Sequence, residues 1–244
     1  MDKIISLKNI KKEYSTIEAI RNITLDIYKG EIIAVVGTSG CGKSTLLNII
    51  SGLDTKTDGE INFLKDDLKI SYMLQNDALL DYRTLLGNAS LGLELMHQDN
   101  DKNIENVKKL INEFGLSEFM NSKVSSLSGG MRQRVALIRA IAINPDVMLL
   151  DEPFSALDYY TRIKISNDIY KLIRKTNTTA IIITHDIREA LNFADRIVLL
   201  SKRPSTIKKI YTPTFNNKPF LEKKNDDAYN PLYDEIWSEL DEKV

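Results

Sequence analysis

A chain of 244 residues is long enough to bury a substantial core, as one large domain or as a domain with a subdomain. Its 43% hydrophobic and 27% charged residues are ordinary for a soluble globular protein, no apolar run reaches the roughly 18 to 20 residues of a membrane span, and the start MDKIISLKNIKKEY lacks the apolar core of a signal peptide, so the expected compartment is the cytosol. The formal charge of −1 offers no global basic field for nucleic acid; from Pro213 onward four lysines stand against eight acidic residues, a net of −4, and the +3 left for the rest is too weak to imply a polyanion partner.

Residues 31–52, EIIAVVGTSGCGKSTLLNIISG, pass from an apolar strand through a glycine-rich turn into a helix. Within them G-T-S-G-C-G-K-S-T at 37–45 satisfies G-x-x-x-x-G-K-[ST], with a strand before and a helix after. The small residues Gly37, Thr38, Ser39, Gly40, Cys41 and Gly42 let successive backbone N–H groups point at phosphate oxygens, and the following helix adds the dipole of its N-terminus. Lys43 would reach the β- and γ-phosphates of a bound nucleotide, the Ser44 hydroxyl would ligate Mg²⁺, and Thr45 completes the loop. A glycine turn shaped only by packing gives no reason for Lys43 and Ser44. Cys41 is the single cysteine, so no internal disulfide can form. Its place before a helix N-terminus and close to Lys43 predicts a lowered thiol pKa and ready alkylation.

T-K-T-D at 55–58 resembles the guanine-reading [NT]-K-x-D of GTPases, but it follows the first helix and is read as a polar turn. A small-molecule kinase would bring an arginine-rich lid, and no such segment is present. KISYML at 69–74 reads as a buried strand. From about Leu80 to Asn144 no convincing strand occurs, and Ile104, Val107, Leu110, Ile111 and Phe114 recur at helical spacing before Gly115, a natural stop. This predicts an inserted helical subdomain, the alternative being helical decoration of one sheet. Near its end L-S-G-G-M-R-Q-R, residues 127–134, places a glycine pair at the start of a helix. That suggests a second phosphate seat.

VMLLD at 147–151 is a buried strand that delivers Asp151 to the C-terminal edge of the sheet, where Asp151 can hold Mg²⁺ and the adjacent Glu152 can reach an attacking water. A solvated turn does not account for two acids after four apolar residues. TAIIIT at 179–184 is the third such run. Helical patterns between the runs predict an α/β protein with a mainly parallel sheet. Past Tyr211 the stretch TPTFNNKPFLEKKNDDAY is polar and turn-rich and reads as a surface tether. Asn230 and Pro231 then form an N-cap and first-turn pair, and Leu232, Tyr233, Ile236, Trp237 and Leu240 share one helical face. That helix is expected to close the fold, with partner binding as the competing reading.

The phosphate loop, L-S-G-G-M-R-Q-R and Glu152, in this order, resemble the ATP-binding cassette family, whose signature is usually L-S-G-G-Q; here Met131 stands last. The resemblance covers about residues 3–211. It implies a P-loop NTPase (RecA-like) fold: a mainly parallel sheet core with antiparallel β strands and an inserted all-helical subdomain. Residues 1–211 would form the ATPase domain, with about 80–144 as the insertion, and 212–244 a C-terminal tether and short amphipathic helix. Tyr14 matches the aromatic that stacks on adenine. Gln75 matches the loop glutamine that touches Mg²⁺ beside Ser44 and Asp151 and faces the membrane subunit. Asp158 belongs to S-A-L-D, the loop that crosses the dimer, and His185 matches the switch histidine at the γ-phosphate. The resemblance makes Glu152, His185 and Gln75 the catalytic set, whereas His97, expected on a helix, keeps a structural reading.

In this family two cassettes pair head to tail, so Ser128, Gly129 and Gly130 would meet the γ-phosphate held by the phosphate loop of the other copy. The implied protein is an ATP- and Mg²⁺-dependent ATPase subunit working as a homodimer on two membrane permease subunits, peripheral on the inner face of the cell membrane. MLQNDALLDYRTLLGNASLGLEL, LSGGMRQRVALIRA and RPSTIKKI further resemble the nitrate/sulfonate/taurine importer group, which more often has proline and tryptophan at Asp81 and Tyr82 and glycine at Ser205. Cargo would be chosen by a solute-binding protein and permease outside this chain. A non-transport cassette ATPase acting on DNA or ribosomes would bring a long coiled-coil insertion, or two cassettes with a basic linker; neither feature occurs. A degenerate ATP-binding regulator is disfavoured by Lys43, Glu152 and His185.

Overall fold

Alternating apolar positions at the N-terminus form two long strands, β1 (Lys3–Tyr14) and β2 (Ile17–Tyr28), paired antiparallel through a turn in which Ser15 takes a φ of 48°. The computed structural model describes residues 2–240, so residue 1 and residues 241–244, the end of the expected C-terminal region, lie outside the described residues. The chain divides into two units, one running to Leu68 and resuming at Tyr170, the other spanning Lys69–Ile169.

In the first unit β3 (Ile32–Val36) leads through the glycine-rich turn to α1 (Lys43–Ser51), and β4 (Asp58–Phe63) adds antiparallel to β1. β7 (Thr179–Ile183) and β8 (Arg196–Leu200) flank β3 in parallel, and β9 (Ser205–Tyr211) joins β8 antiparallel and β2 in parallel. The strand order is therefore β4-β1-β2-β9-β8-β3-β7. Every residue of β3 and β7 is buried, the pattern of a strand covered on both faces. A fully buried side chain of this kind contributes about 1.5–3 kcal/mol relative to leaving it exposed. The polar ends of these strands are tied as well. The Ile32 N–H donates to the Asp195 carboxylate at 2.8 Å, and the same carboxylate accepts two bonds from Arg174 at 2.9 and 2.7 Å.

The second unit carries β5 (Ile70–Met73) and β6 (Val147–Asp151) side by side in parallel. Between Leu85 and Ala142 every regular element is helical: α2 (Leu85–Ala89), α3 (Leu91–Leu95), α4 (Asp101–Glu113) and α5 (Gly129–Ala142), with short 3₁₀ turns between the last two. α4 buries Val107 and Ile111, and Phe114 is buried just past its end; Gly115, at a φ of +69°, stops it. His97 is exposed in the turn after α3 with a φ of 54°, so the helix expected to hold it ends before it. α6 (Tyr159–Thr176) returns the chain to the first unit.

The segment after Tyr211 is anchored rather than a surface tether. Phe215, Phe220 and Lys223 are buried, and the rings of Tyr170, Phe193 and Phe220 meet at centroid distances of 5.1 to 6.0 Å. Lys223 Nζ donates to the Asn192 carbonyl at 2.8 Å and lies 4.7 Å from the Tyr170 ring centroid. α8 (Tyr229–Leu240) starts earlier than expected, so Asn230 lies inside the helix and is not its cap. Ile236 is fully buried in a cluster with Ala34, Ile187, Leu191, Phe215 and Tyr229, and Leu232, Tyr233 and Leu240 pack against that cluster. Trp237 departs from the expected face: it is 54% exposed and stacks on Tyr233. Among the described residues no helix is long and apolar enough to cross a membrane.

Burial pushes the Lys223 ammonium down to about 8, with the Arg174 guanidinium acting in the same direction and Asp195 opposing it. Between that value and the ordinary lysine pKa of about 10.4, the unfolded chain holds a proton that the folded chain does not. Stability contributed by this group therefore rises as pH climbs from about 8. The unfolding free energy of the natural chain is expected to gain on that of a Lys223→Met variant as pH is raised from 8 to 10 in urea titrations. Parallel pH profiles for the two proteins would contradict this.

Candidate functional site

Elements of the first unit build the phosphate loop. β3 ends at Val36 and β7 at Ile183, paired through Val35 and Ile183, so Gly37 and His185 emerge at the same edge of two neighbouring parallel strands. Gly42 is the N-cap of α1 at a φ of +106°, and no side chain caps the helix, leaving its first N–H groups turned to the loop. The φ of Gly42 favours glycine, and a Cβ there would crowd the Ala19 carbonyl and Ser205 Oγ, each at 3.1 Å. Ser205, where glycine is more usual, is itself fully buried there and donates to the Ala19 carbonyl at 3.3 Å. Lys43 is buried, its Nζ donating to the carbonyls of Gly37 at 2.8 Å and Thr38 at 3.0 Å, while Ser39 and Gly40 are exposed at the tip and Ser44 and Thr45 are half-buried. The strap draws a cation over the loop whose helix dipole already favours an anion.

Tyr14 ends β1, 41% exposed, and its hydroxyl donates to the Asp54 carboxylate. Lys12 Nζ sits 4.5 Å from the centroid of the Tyr14 ring and donates to the Thr55 carbonyl at 2.6 Å. The ring is thus held at its hydroxyl and on one face while part of it meets solvent. His185 is exposed between β7 and the N-cap Asp186 of α7 (Ile187–Phe193).

In the second unit the ends of β5 and β6 bring Gln75, Asp151 and Glu152 to one strand edge, Met73 lying opposite Leu150. Asp151 is buried, 3% exposed, and Gln75 is exposed. Burial, with the Asp151 carboxylate adding to it, raises the Tyr72 phenol well above its ordinary range, which marks Tyr72 as a neighbour of this acid. Glu152 is half-buried and takes a φ of 48°, the left-handed region in which a non-glycine residue costs about 1–3 kcal/mol. Ser128 is the exposed N-cap of α5, its Oγ accepting from the Met131 N–H at 3.4 Å. Around a Cβ built on Gly129 no atom lies within 4 Å, so this helix end is open. Asp158 is exposed, its carboxylate accepting from the Thr161 N–H at 3.1 Å. Among the described residues no group of three or more His, Cys, Asp and Glu is placed to hold a metal ion. Ser44 and Asp151 offer hard oxygen donors, the chemistry Mg²⁺ takes when phosphate oxygens and water supply the remainder.

The sequence profile described as ABC transporter matches residues 20–155. The chain is 38% identical to the uncharacterized ABC transporter ATP-binding protein YtlC of Bacillus subtilis, over 94% of this chain and 90% of that one. The chain belongs to the ABC transporter family. It is also 35% identical to the taurine import ATP-binding protein TauB of a Jannaschia species, over 97% of this chain and 92% of that protein. A dimeric post-hydrolysis structure of the ATP-binding cassette MJ0796 bound to ADP and Pi is 34% identical and superposes with a TM-score of 0.78, covering 86% of this chain and 98% of that one. The protein is accordingly an ATP-binding, ATP-hydrolysing ABC ATPase of the α/β P-loop NTPase fold.

Within this ABC ATPase the Cys41 thiol departs from expectation. It is 1% exposed, and burial pushes its pKa up, outweighing the Lys43 ammonium and backbone N–H groups that act the other way. The position before a helix N-terminus predicts activation, but the side chain turns into the core. Maleimide labelling of the folded protein at pH 7 is therefore expected to be slow and to become fast in urea. Equal rates in the two conditions would contradict this burial.

Sequence spacing gave no sign of the groups that hold the site residues. Lys12 and Asp54, 42 positions apart, meet beneath Tyr14. Arg132 in the signature segment binds Asp77 bidentately at 2.7 and 2.9 Å and Asp81 at 2.9 Å, and Arg139 donates to the carbonyls of Ala78 at 2.8 Å and Asp77 at 2.6 Å. α5 thereby holds the loop that follows Gln75. It also explains Asp81, which pairs with Arg132 where proline is more usual. A charge two residues past a glycine pair is the only sequence signal for that contact.

Proposed function

We propose that this ABC ATPase drives import of a small solute, of the class to which taurine and related sulfonates belong, through a separate membrane permease. Two copies pair head to tail on two permease subunits at the inner, cytoplasmic face of the membrane, with the ATPase domain in residues 1–211 and an inserted helical subdomain at about 80–144. The taurine-importing relative supports the solute class, and a solute-binding protein outside this chain selects the cargo.

The roles follow from chemistry. Tyr14 stacks on adenine, the N–H groups of residues 37–45 and Lys43 bind the phosphates, and His185 contacts the γ-phosphate. Ser44, Asp151 and Gln75 would hold Mg²⁺, which would supply positive charge to the phosphate oxygens. The Glu152 carboxylate accepts a proton from water as the water oxygen attacks the γ-phosphorus; the bond from that phosphorus to the β–γ bridging oxygen breaks, and ADP and phosphate leave. Ser128, Gly129 and Gly130 of the partner subunit close the γ-phosphate from the opposite side, with Asp158 crossing the dimer. ATP then holds the dimer together and hydrolysis releases it.

The observation that carries this reading is the open N-terminus of α5. Ser128 caps it through the Met131 N–H, and the space beside Gly129 is clear, so the N–H groups ahead of Met131 lie at an exposed helix end. Affinity purification of the tagged chain from its own host in mild detergent tests the function. A membrane permease should co-elute, and the solute-binding protein associated with it should carry a small sulfonate or related anion by mass spectrometry. Recovery with ribosomes or DNA and without a membrane subunit would overturn the proposal.

A further inference from the structure

The backbone of Glu152 sits at a φ of 48°, a conformation that a glutamate does not hold unaided. Something in the surroundings must over-determine it. The turn that follows is compact: the Glu152 carbonyl accepts from the Ser155 N–H at 3.3 Å and from Ser155 Oγ at 3.1 Å, and the Leu157 N–H donates to the Phe154 carbonyl at 3.2 Å. Into this turn reaches one side chain from α5.

Gln133 is buried, 5% exposed, five residues after the signature serine. Its Nε2 donates to the Glu152 carbonyl at 3.1 Å and to Ser155 Oγ at 3.3 Å, and its Oε1 accepts from the Ala156 N–H at 3.0 Å. One amide therefore bridges both ends of the turn. The approach of α5 is tight as well, since a Cβ at Gly130 would stand 3.3 Å from the Ala156 carbonyl. The reach of Gln133 is fixed by that contact.

We propose that Gln133 is a positioning residue that fixes the Glu152 backbone, and with it the direction of the carboxylate that activates water. The carbonyl that Gln133 grips is bonded to the same Cα as the Glu152 side chain, so holding the one aims the other. A buried glutamine could instead only satisfy its own polar atoms. Here, however, both ends of the amide are spent on the turn that begins at Glu152, where a small misplacement carries a large rate penalty. This inference rests on the reading of Glu152 as the water-activating group.

The test is steady-state ATPase kinetics with the full chain. Gln133→Ala is expected to lower kcat by about 10- to 100-fold with the KM for ATP changed less than about twofold. Gln133→Glu keeps the length and the acceptor for the Ala156 N–H but, as a carboxylate, loses the donor to Glu152, and should show a loss of the same order with unchanged far-UV circular dichroism. In a Glu152→Gln background, Gln133→Ala should reduce the residual rate by less than about threefold, because the group it aims is already disabled. Natural kcat in either folded variant, an undiminished loss in the Glu152→Gln background, or failure of both variants to fold would overturn the proposal and leave Gln133 structural. If Glu152→Gln itself turns over at the natural rate, the role of Glu152 fails, whatever Gln133 does.

Discussion

Replacing Glu152 by glutamine is expected to lower ATP turnover by roughly 10²- to 10⁴-fold, the range of a lost general base, while ATP binding persists. The substitution preserves shape and keeps the polar side chain at the end of β6, so the left-handed backbone has no new reason to relax. What disappears is the carboxylate proposed to take the proton from water. The residues proposed to contact the nucleotide phosphates, Lys43 and the α1 N-terminus, belong to the other unit of the chain and are unchanged in the variant. Phosphate release should therefore collapse while equilibrium binding of ATP stays within a small factor, and the ATP-bound dimer should accumulate. A variant that releases phosphate at the natural rate would remove Glu152 from the chemistry.

Lys43→Ala and Ser128→Arg are each expected to leave less than about 1% of the natural ATPase rate, by damaging opposite halves of one composite site. The lysine ammonium now bridges the Gly37 and Thr38 carbonyls. Alanine removes both that strap and the cation proposed to meet the β- and γ-phosphates, so ATP affinity should fall with turnover. Ser128→Arg differs. Its local cost is a helix cap of about 1 kcal/mol. The open space beside Gly129 lets the arginine stand outward without disturbing the fold. It would then fill the place where the phosphate held by the other copy must dock, and the variant should still bind ATP on its own loop. Retained turnover in Ser128→Arg would show that this serine faces no nucleotide.

How much of this was legible depends on how locally each feature is encoded. β3, β6 and β7 are continuous apolar runs, and the loop after β3 is specified by consecutive small residues, so sequence alone locates them. β1 is harder to see because its register against β2 shifts at four places, which breaks the alternation across KNIKKEY. The segment after Tyr211 looks like a tether because Phe215, Phe220 and Lys223 fit neither helical nor strand spacing, yet all three are buried. Cys41 misleads for a related reason: its neighbours in sequence favour a thiolate, while the core it enters disfavours one. The clamps on the site are the least legible of all. Asp77 and Arg132 lie 55 positions apart, and Gln133 reaches a turn about twenty residues downstream. Long-range pairs of this kind carry no period that a sequence displays.

The most direct measurement of the trans seat is ATPase activity after mixing Lys43→Ala with Ser128→Arg. In a mixed dimer of the proposed head-to-tail kind both lesions would fall in one composite site, and the other site would join an intact phosphate loop to an intact signature. Activity should therefore reappear on mixing, reduced from the natural rate where the two sites are coupled. Light scattering with ATP establishes that mixed dimers form. Recovery of turnover above the sum of the two separate variants is the expected result; mixed dimers that form and yet neither hold nor hydrolyse ATP at the intact site would show that L-S-G-G-M is not a phosphate seat for the partner.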